Sequence, residues 1–252
     1  MPAAKKESSP DRVKPTRWFL HDAYTDYVAA RVLLLRGLLK QGVVLSSTAI
    51  EKCAKAVLAL HGNTSRGHLN TAHFNVLRTD PKFGNLLNPD FIKLNQKAYR
   101  LRYTDDLPFD FNMVVASREF LAEMDQTILS VTSCFKIHDS GRHRPIGYEA
   151  GIQRGDEHLI AENHVITHEP LERFIYAKPQ FVYEVCRDPL RGLVEATYMT
   201  ETPPRRIGFL RAGLALREGS REDFESSYFP ISGTFTLFAE GSELVGKEFS
   251  SD

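Results

Sequence analysis

The chain has 252 residues, is 42% hydrophobic and 25% charged, and balances 32 Lys and Arg against 32 Asp and Glu. That length fits one large domain or two ordinary ones, each able to bury a core. A formal net charge of zero excludes a wholly basic nucleic-acid coat but leaves room for a local basic patch.

Cys53, Cys134 and Cys186 are far apart and offer neither a disulfide framework nor a Cys/His metal spacing. Cys53 and Cys134 lie in helical patterns and read as buried free thiols, which fits a reducing cytoplasm. No apolar run approaches the roughly 20 residues of a membrane span. The first fifteen positions, through Pro15, are polar and lack an apolar signal core, so residues 1–15 read as a disordered lead-in.

From Trp18 to Gln41, Leu20, Ala23, Tyr24, Tyr27, Ala30, Leu34 and Leu38 fall at helical spacing, with Gly42 as the expected stop. A second helix is expected from Ser47 or Thr48, where Thr48 and Glu51 have capping-box spacing. Ile50, Cys53, Ala54, Val57 and Leu58 form its buried stripe, and Gly62-Asn63 ends it. A polar loop through Gly67 leads to a short helix from about Leu69 to Leu77. Asn88-Pro89-Asp90 announces the next helix, with Asn88 as N-cap and Pro89 in the first turn. A last long helix is expected from Asn112 to Phe135, with Val115, Phe120, Leu121, Met124, Ile128 and Val131 facing inward.

After about Ser140 the helical period fades. Segments rich in β-branched and aromatic residues follow: 164–167, 180–185, 193–198, 206–210 and 233–238, separated by Gly, Pro, Asp and Asn. The expected fold class is therefore α+β. An antiparallel α-helical bundle over residues 16–140 precedes a small, mainly antiparallel β domain of unrecognised type over residues 145–252, with Gly141 to Pro145 as linker.

Three pieces of the N-terminal half carry a family resemblance. Tyr24 to Gly37 holds an Ala-Arg-Val-Leu helix; Ala49 to Leu58 reads A-I-E-K-C-A-K-A-V-L; and Leu101-Arg102-Tyr103 opens a loop containing Asp105 and Pro108. A Gly-His loop at Gly67-His68 adds to them. In this order and spacing they resemble the HEPN family (higher eukaryotes and prokaryotes nucleotide-binding domain) over roughly Trp18 to Phe135. The resemblance implies an up-and-down bundle that pairs through its long helices into a homodimer. It also implies association with a nucleotide or RNA, in a toxin–antitoxin or antiphage setting.

Some members of the family are metal-independent endoribonucleases that place a His four to six residues after an Arg near the start of the last helix. There the Arg steadies phosphate charge and the His moves a proton. This chain departs from that pattern, because Tyr103, Thr104, Asp105, Asp106, Leu107 and Pro108 follow Arg102 without a His. An Arg66 to His73 spacing exists, but it sits after the second helix rather than before the last.

The ligand-binding candidates are Lys52, Lys55, His68, Arg102, Tyr103 and Asp105; no catalytic residue is assigned. Lys52 and Lys55 beside Glu51 also suit a solvated helix face. Arg102 and Tyr103 also suit a structural loop, with Arg102 on a carboxylate and Tyr103 packed inside. His164 and His168 lie within a strand-like segment without a third ligand, so no metal and no cofactor are expected. Arg142-His143-Arg144 and Arg205-Arg206 read as solvated basic linkers, for want of aromatic stacking neighbours. The reading is a binding or regulatory protein whose β-rich part meets a protein partner. The alternatives are a metal-independent endoribonuclease and a self-associating structural protein.

Overall fold

The computed structural model describes residues 10–63, 71–80, 82–84, 87–109, 111–139, 141–177, 180–188, 192–200, 235–239 and 245–247. Four helices come first: α1 (Pro10–Leu35), α2 (Leu39–Leu60), α3 (Thr71–Thr79) and α4 (Pro89–Tyr99). Two 3-10 turns, Arg100–Arg102 and Thr104–Asp106, lead to strand β1 (Asn112–Ala116) and helix α5 (Ser117–Ser133). A tiny hairpin, β2 (His138–Asp139) and β3 (Arg142–His143), precedes four short helices: α6 (Gly147–Arg154), α7 (Glu157–Ile160), α8 (His164–Thr167) and α9 (Leu171–Ile175). Strands β4 (Gln180–Asp188), β5 (Gly192–Thr200), β6 (Phe235–Ala239) and β7 (Val245–Lys247) follow. The architecture is α+β.

The helix ends explain where the sequence reading slipped. Gly37, not Gly42, stops α1. It adopts φ +78° while its N–H bonds to the Leu34 carbonyl and that of Leu38 to the Leu33 carbonyl, the paired bonds of a Schellman end. Gly42 lies inside α2, where a Cβ would come within 2.6 Å of Leu34 Cγ, so its missing side chain lets α1 and α2 pack closely. Thr48 is consequently mid-helix rather than a cap, and its hydroxyl bonds Asp26 and the Leu45 carbonyl. Gly62, at φ +81°, ends α2 by the same paired bonds as Gly37. Asn88 caps α4 by accepting from the N–H groups of Asp90 and Phe91.

Two further expectations are corrected. Residues 10–15 are part of α1, with Pro10 at its first position, where a missing N–H does little harm, and Pro15 inside the helix. The last long helix begins only at Ser117, since Asn112 to Ala116 pairs antiparallel with β4, from Asn112 opposite Cys186 to Ala116 opposite Val182. That pairing uses the β-branched Val114 and Val115, which suit a pleated ladder.

The sheet order is β1-β4-β5-β6-β7, antiparallel throughout. The 164–167 segment, expected as a strand, is the helical turn α8, because Asn163 caps it by accepting from the N–H groups of Val165 and Ile166. The expected strand at 206–210 lies outside the described residues.

Packing crosses the expected boundary at 140–145. One cluster of buried side chains joins Leu20, Tyr27, Val57, Phe91 and Phe120 with Tyr148, Leu159, Phe174, Tyr183 and Val185. Polar bonds stitch the same layers. Ser46 and Ser47 of α2 donate to Asn95 of α4, Lys40 of α2 meets Glu195 of β5 at 2.6 Å, and Ser117 accepts from the Phe181 N–H.

At the centre sits an ion pair between Arg31 of α1 and Asp125 of α5, both fully buried. Tyr27 Oη donates to Asp125 at 2.7 Å, and Asn163 Nδ2 donates to Tyr27 Oη at 3.2 Å. The other Arg31 nitrogens donate to the carbonyls of His158 and Ala161. Burial works against the Arg31 charge, but Asp125 overrides it and leaves the guanidinium's pKa raised. Burial pushes the Asp125 carboxyl up, while Arg31 and Tyr27 pull it back.

Removing one partner of a buried pair strands the other charge. Asp125→Ala is expected to cost about 3–5 kcal/mol, read as a lower urea midpoint. Loss below about 1 kcal/mol would mean that the pair behaves as a solvated one.

Candidate functional site

A cleft with a volume of about 820 Å³ lies between the first half of α1 and the segment from Ile137 to Arg154. Lys14, Arg17, Trp18 and His21 fall at i, i+3, i+4 and i+7 and line one wall from a single face of α1. The opposite wall is His138 of β2, the Pro145 to Gly147 entry to α6, Ala150 and Arg154. Tyr24 and Leu20 close the floor.

Small residues on α6 create this geometry. A Cβ on Gly147 would approach Tyr24 Cβ to 2.7 Å, and one on Gly151 would approach Tyr24 Oη to 2.1 Å. The two glycines, four residues apart, therefore form a flat strip on which the Tyr24 ring lies. Tyr24 Oη donates to Asp156 Oδ2 at 2.8 Å, just past the end of α6, where Gly155 turns the chain at φ +67°. Burial and then the Asp156 bond push the Tyr24 pKa up, so the phenol stays a proton donor.

Among the described lining residues the charge has one sign: Lys14, Arg17 and Arg154 are exposed cations without a described ion-pair partner, His21 and His138 add two imidazoles, and none is an Asp or Glu. Nearby carboxylates are engaged elsewhere. Asp156 accepts from Tyr24 and from the His158 N–H, and Glu149 meets His143 at 2.8 Å and Lys136 at 3.7 Å. Trp18, the sole tryptophan, is 60% exposed at the rim, an open aromatic face beside the cations. Such a wall suits an anion that also carries a flat ring, by charge neutralisation on one part and stacking on the other.

The sequence-derived candidates sit elsewhere. Lys52 is spent on Asp26 at 2.9 Å and Asp22 at 3.6 Å, and Lys55 on the buried Glu51 at 2.6 Å. Arg102 has no carboxylate partner among the described residues: its guanidinium lies 5.2 Å over the Tyr99 ring and donates to Tyr99 Oη. Burial first raises the Tyr99 pKa, Arg102 lowers it and the Glu51 charge raises it, which places Lys55, Glu51, Tyr99 and Arg102 in one neighbourhood. Tyr103 is exposed rather than packed inside, and the Asp105 side chain is exposed.

Sequence reasoning missed what holds this loop. Arg187 of β4 donates to the carbonyls of Thr104, Asp105 and Leu107, and lies 5.2 Å over the Phe109 ring. The loop bearing Arg102, Tyr103 and Asp105 is thus clamped by a strand some 80 residues away. His68 and Arg66 lie outside the described residues, and His73 is fully buried. Among the described residues no cluster of His, Cys, Asp and Glu could hold a metal. The cleft cations had a sequence signal, the helical spacing of Lys14, Arg17 and His21 around Trp18. It was hidden by treating residues 1–15 as outside the fold.

An antiparallel helical bundle continued by an antiparallel sheet defines the class. Residues 16–128 match the model of the HEPN domain, and this N-terminal part of the chain is similar to that domain. Comparisons with curated proteins and with solved structures give no match. The matched span holds both Arg31 and Asp125, whereas the wall from Ile137 to Arg154 lies beyond it. No helix of the described residues is long and apolar enough to cross a membrane.

Gly151→Ala tests the cleft floor. In an ordinary helix this change stabilises by about 1 kcal/mol. Here the added methyl meets Tyr24 and Leu159, and a net loss of about 1–3 kcal/mol is expected in chemical denaturation. A stabilised variant would show that α6 stands clear of α1.

Proposed function

We propose that this protein is a HEPN-domain binding or regulatory module whose ligand is a nucleotide or RNA, seated in the cleft between α1 and α6. The observation that carries this reading is the wall of Lys14, Arg17 and Arg154 beside the open ring of Trp18, with no carboxylate among the described lining residues. Phosphates would lie against the three cations, and an unpaired base would stack on Trp18. The clamped loop at Arg102, Tyr103 and Asp105 takes a structural role in this proposal, its acidic tip being unsuited to phosphate. The family's habit of pairing through long helices extends the proposal to a homodimer, with the β-rich part left for a protein partner. A toxin–antitoxin or antiphage setting is the context the family suggests.

Because Trp18 is the only tryptophan, its fluorescence reports the cleft directly. Titration with single-stranded RNA oligomers is expected to quench it. Three phosphate contacts on a single strand give a salt dependence of log K on log salt with slope about −2. Lys14→Gln, Arg17→Gln and Arg154→Gln together are expected to weaken binding at least about tenfold at low salt. Unchanged fluorescence and no retention of RNA or nucleotides would refute the reading. Cleavage of the RNA in the presence of EDTA would move it to the endoribonuclease alternative. Sedimentation of the same preparation tests the pairing, with a monomer mass at tens of micromolar, roughly the range of weak association, counting against it.

A further inference from the structure

The cleft holds two groups that the three fixed cations do not explain. His21 projects from the Lys14, Arg17, Trp18 face of α1, and His138 faces it from β2. Imidazole is the side chain whose ordinary charge change falls between about pH 5 and 8. Each shares its surroundings with cations: Lys14 and Arg17 from α1, and Arg154 from α6. No carboxylate among the described lining residues offsets that charge. Described polar neighbours are occupied. Tyr24 donates to Asp156, while His143 lies 5.7 Å from His138, ring to ring, and is itself held by Glu149, which also meets Lys136. A phosphate entering this wall reverses the local sign, and each imidazole then binds a proton more readily than before.

We propose that ligand binding in this cleft is coupled to proton uptake by His21 and His138, so the site grips phosphate-bearing ligands more tightly as the pH falls. This rests on the cleft being the phosphate site. The sign follows from linkage: the ligand-bound state prefers the imidazolium form, so affinity is gained at low pH and lost as pH rises and the rings deprotonate. A site of this kind counts as three cations above neutrality and up to five in mild acid. The salt slope on a single strand would accordingly steepen from about −2 to about −3.5.

The test is fluorescence anisotropy of a rhodamine-labelled oligouridylate without terminal phosphates, whose backbone and bases do not titrate over the window. It is run on the full chain at pH 5.5 and 7.5, conditions set by the imidazole range of about 5 to 8. The expected result is about tenfold or more tighter binding at the lower pH, the scale of two linked imidazoles. The ratio should fall below about twofold in His21→Gln/His138→Gln, whose folding is checked by its melting curve. Binding with a flat pH profile overturns the coupling and leaves the cleft reading in place. A pH ratio undiminished in the double variant assigns the protons elsewhere and also overturns it. No binding at either pH removes the coupling together with the reading beneath it.

Discussion

The Arg31–Asp125 ion pair is the constraint from which the rest of the structure hangs. Taking two charges out of water costs several kcal/mol per ion, and the cost is repaid only if every remaining polar atom is met. The fold meets them from three separate stretches of chain: Arg31 and Tyr27 from α1, Asp125 from α5, and the carbonyls of His158 and Ala161 with the Asn163 amide from the short-helix segment. A displacement of any one stretch strands a charge. Arg118, bonded to Glu162 and lying over Phe174, and His164, bonded to the Ala122 carbonyl, reinforce the same junction from its edge.

The cleft is a consequence of that junction. Once the loop between α7 and α8 is tied to α1, α6 must run back across the first half of α1, and only a glycine strip allows the approach at Tyr24. One wall therefore belongs to the helix that the HEPN match covers from residue 16 onward, and the other to chain beyond the match. The bundle thus acquires a cleft that its own helices do not contain, in keeping with sites being placed on folds rather than dictated by them.

The loop that most resembled the family in sequence is used differently. Arg187 satisfies three of its carbonyls and packs on Phe109, while Arg102 lies on Tyr99. Resemblance of residue types at a turn located the turn correctly. It did not reveal that a strand far along the chain would hold it, because no local periodicity encodes a partner some 80 residues away.

What the sequence determined by itself was everything written in a short window. The apolar stripes of α1, α2 and α5, the Asn88 cap, the Gly62 stop and the β-branched and aromatic run of β4 are local patterns, and they specified that these helices and this strand form, though not where α1 ends or where α2 and α5 begin. The tertiary structure alone decided the roles that need two distant segments. Gly42 became a packing contact instead of a stop because Leu34 faces it, and Asn112 to Ala116 became a strand because β4 lies alongside. The cationic cleft shows the division within one site: Lys14, Arg17, Trp18 and His21 share a helix face that spacing could reveal. Arg154 and His138 join them only because a buried ion pair between residues 94 apart, with the carbonyls and amide bonded around it, folds the chain back.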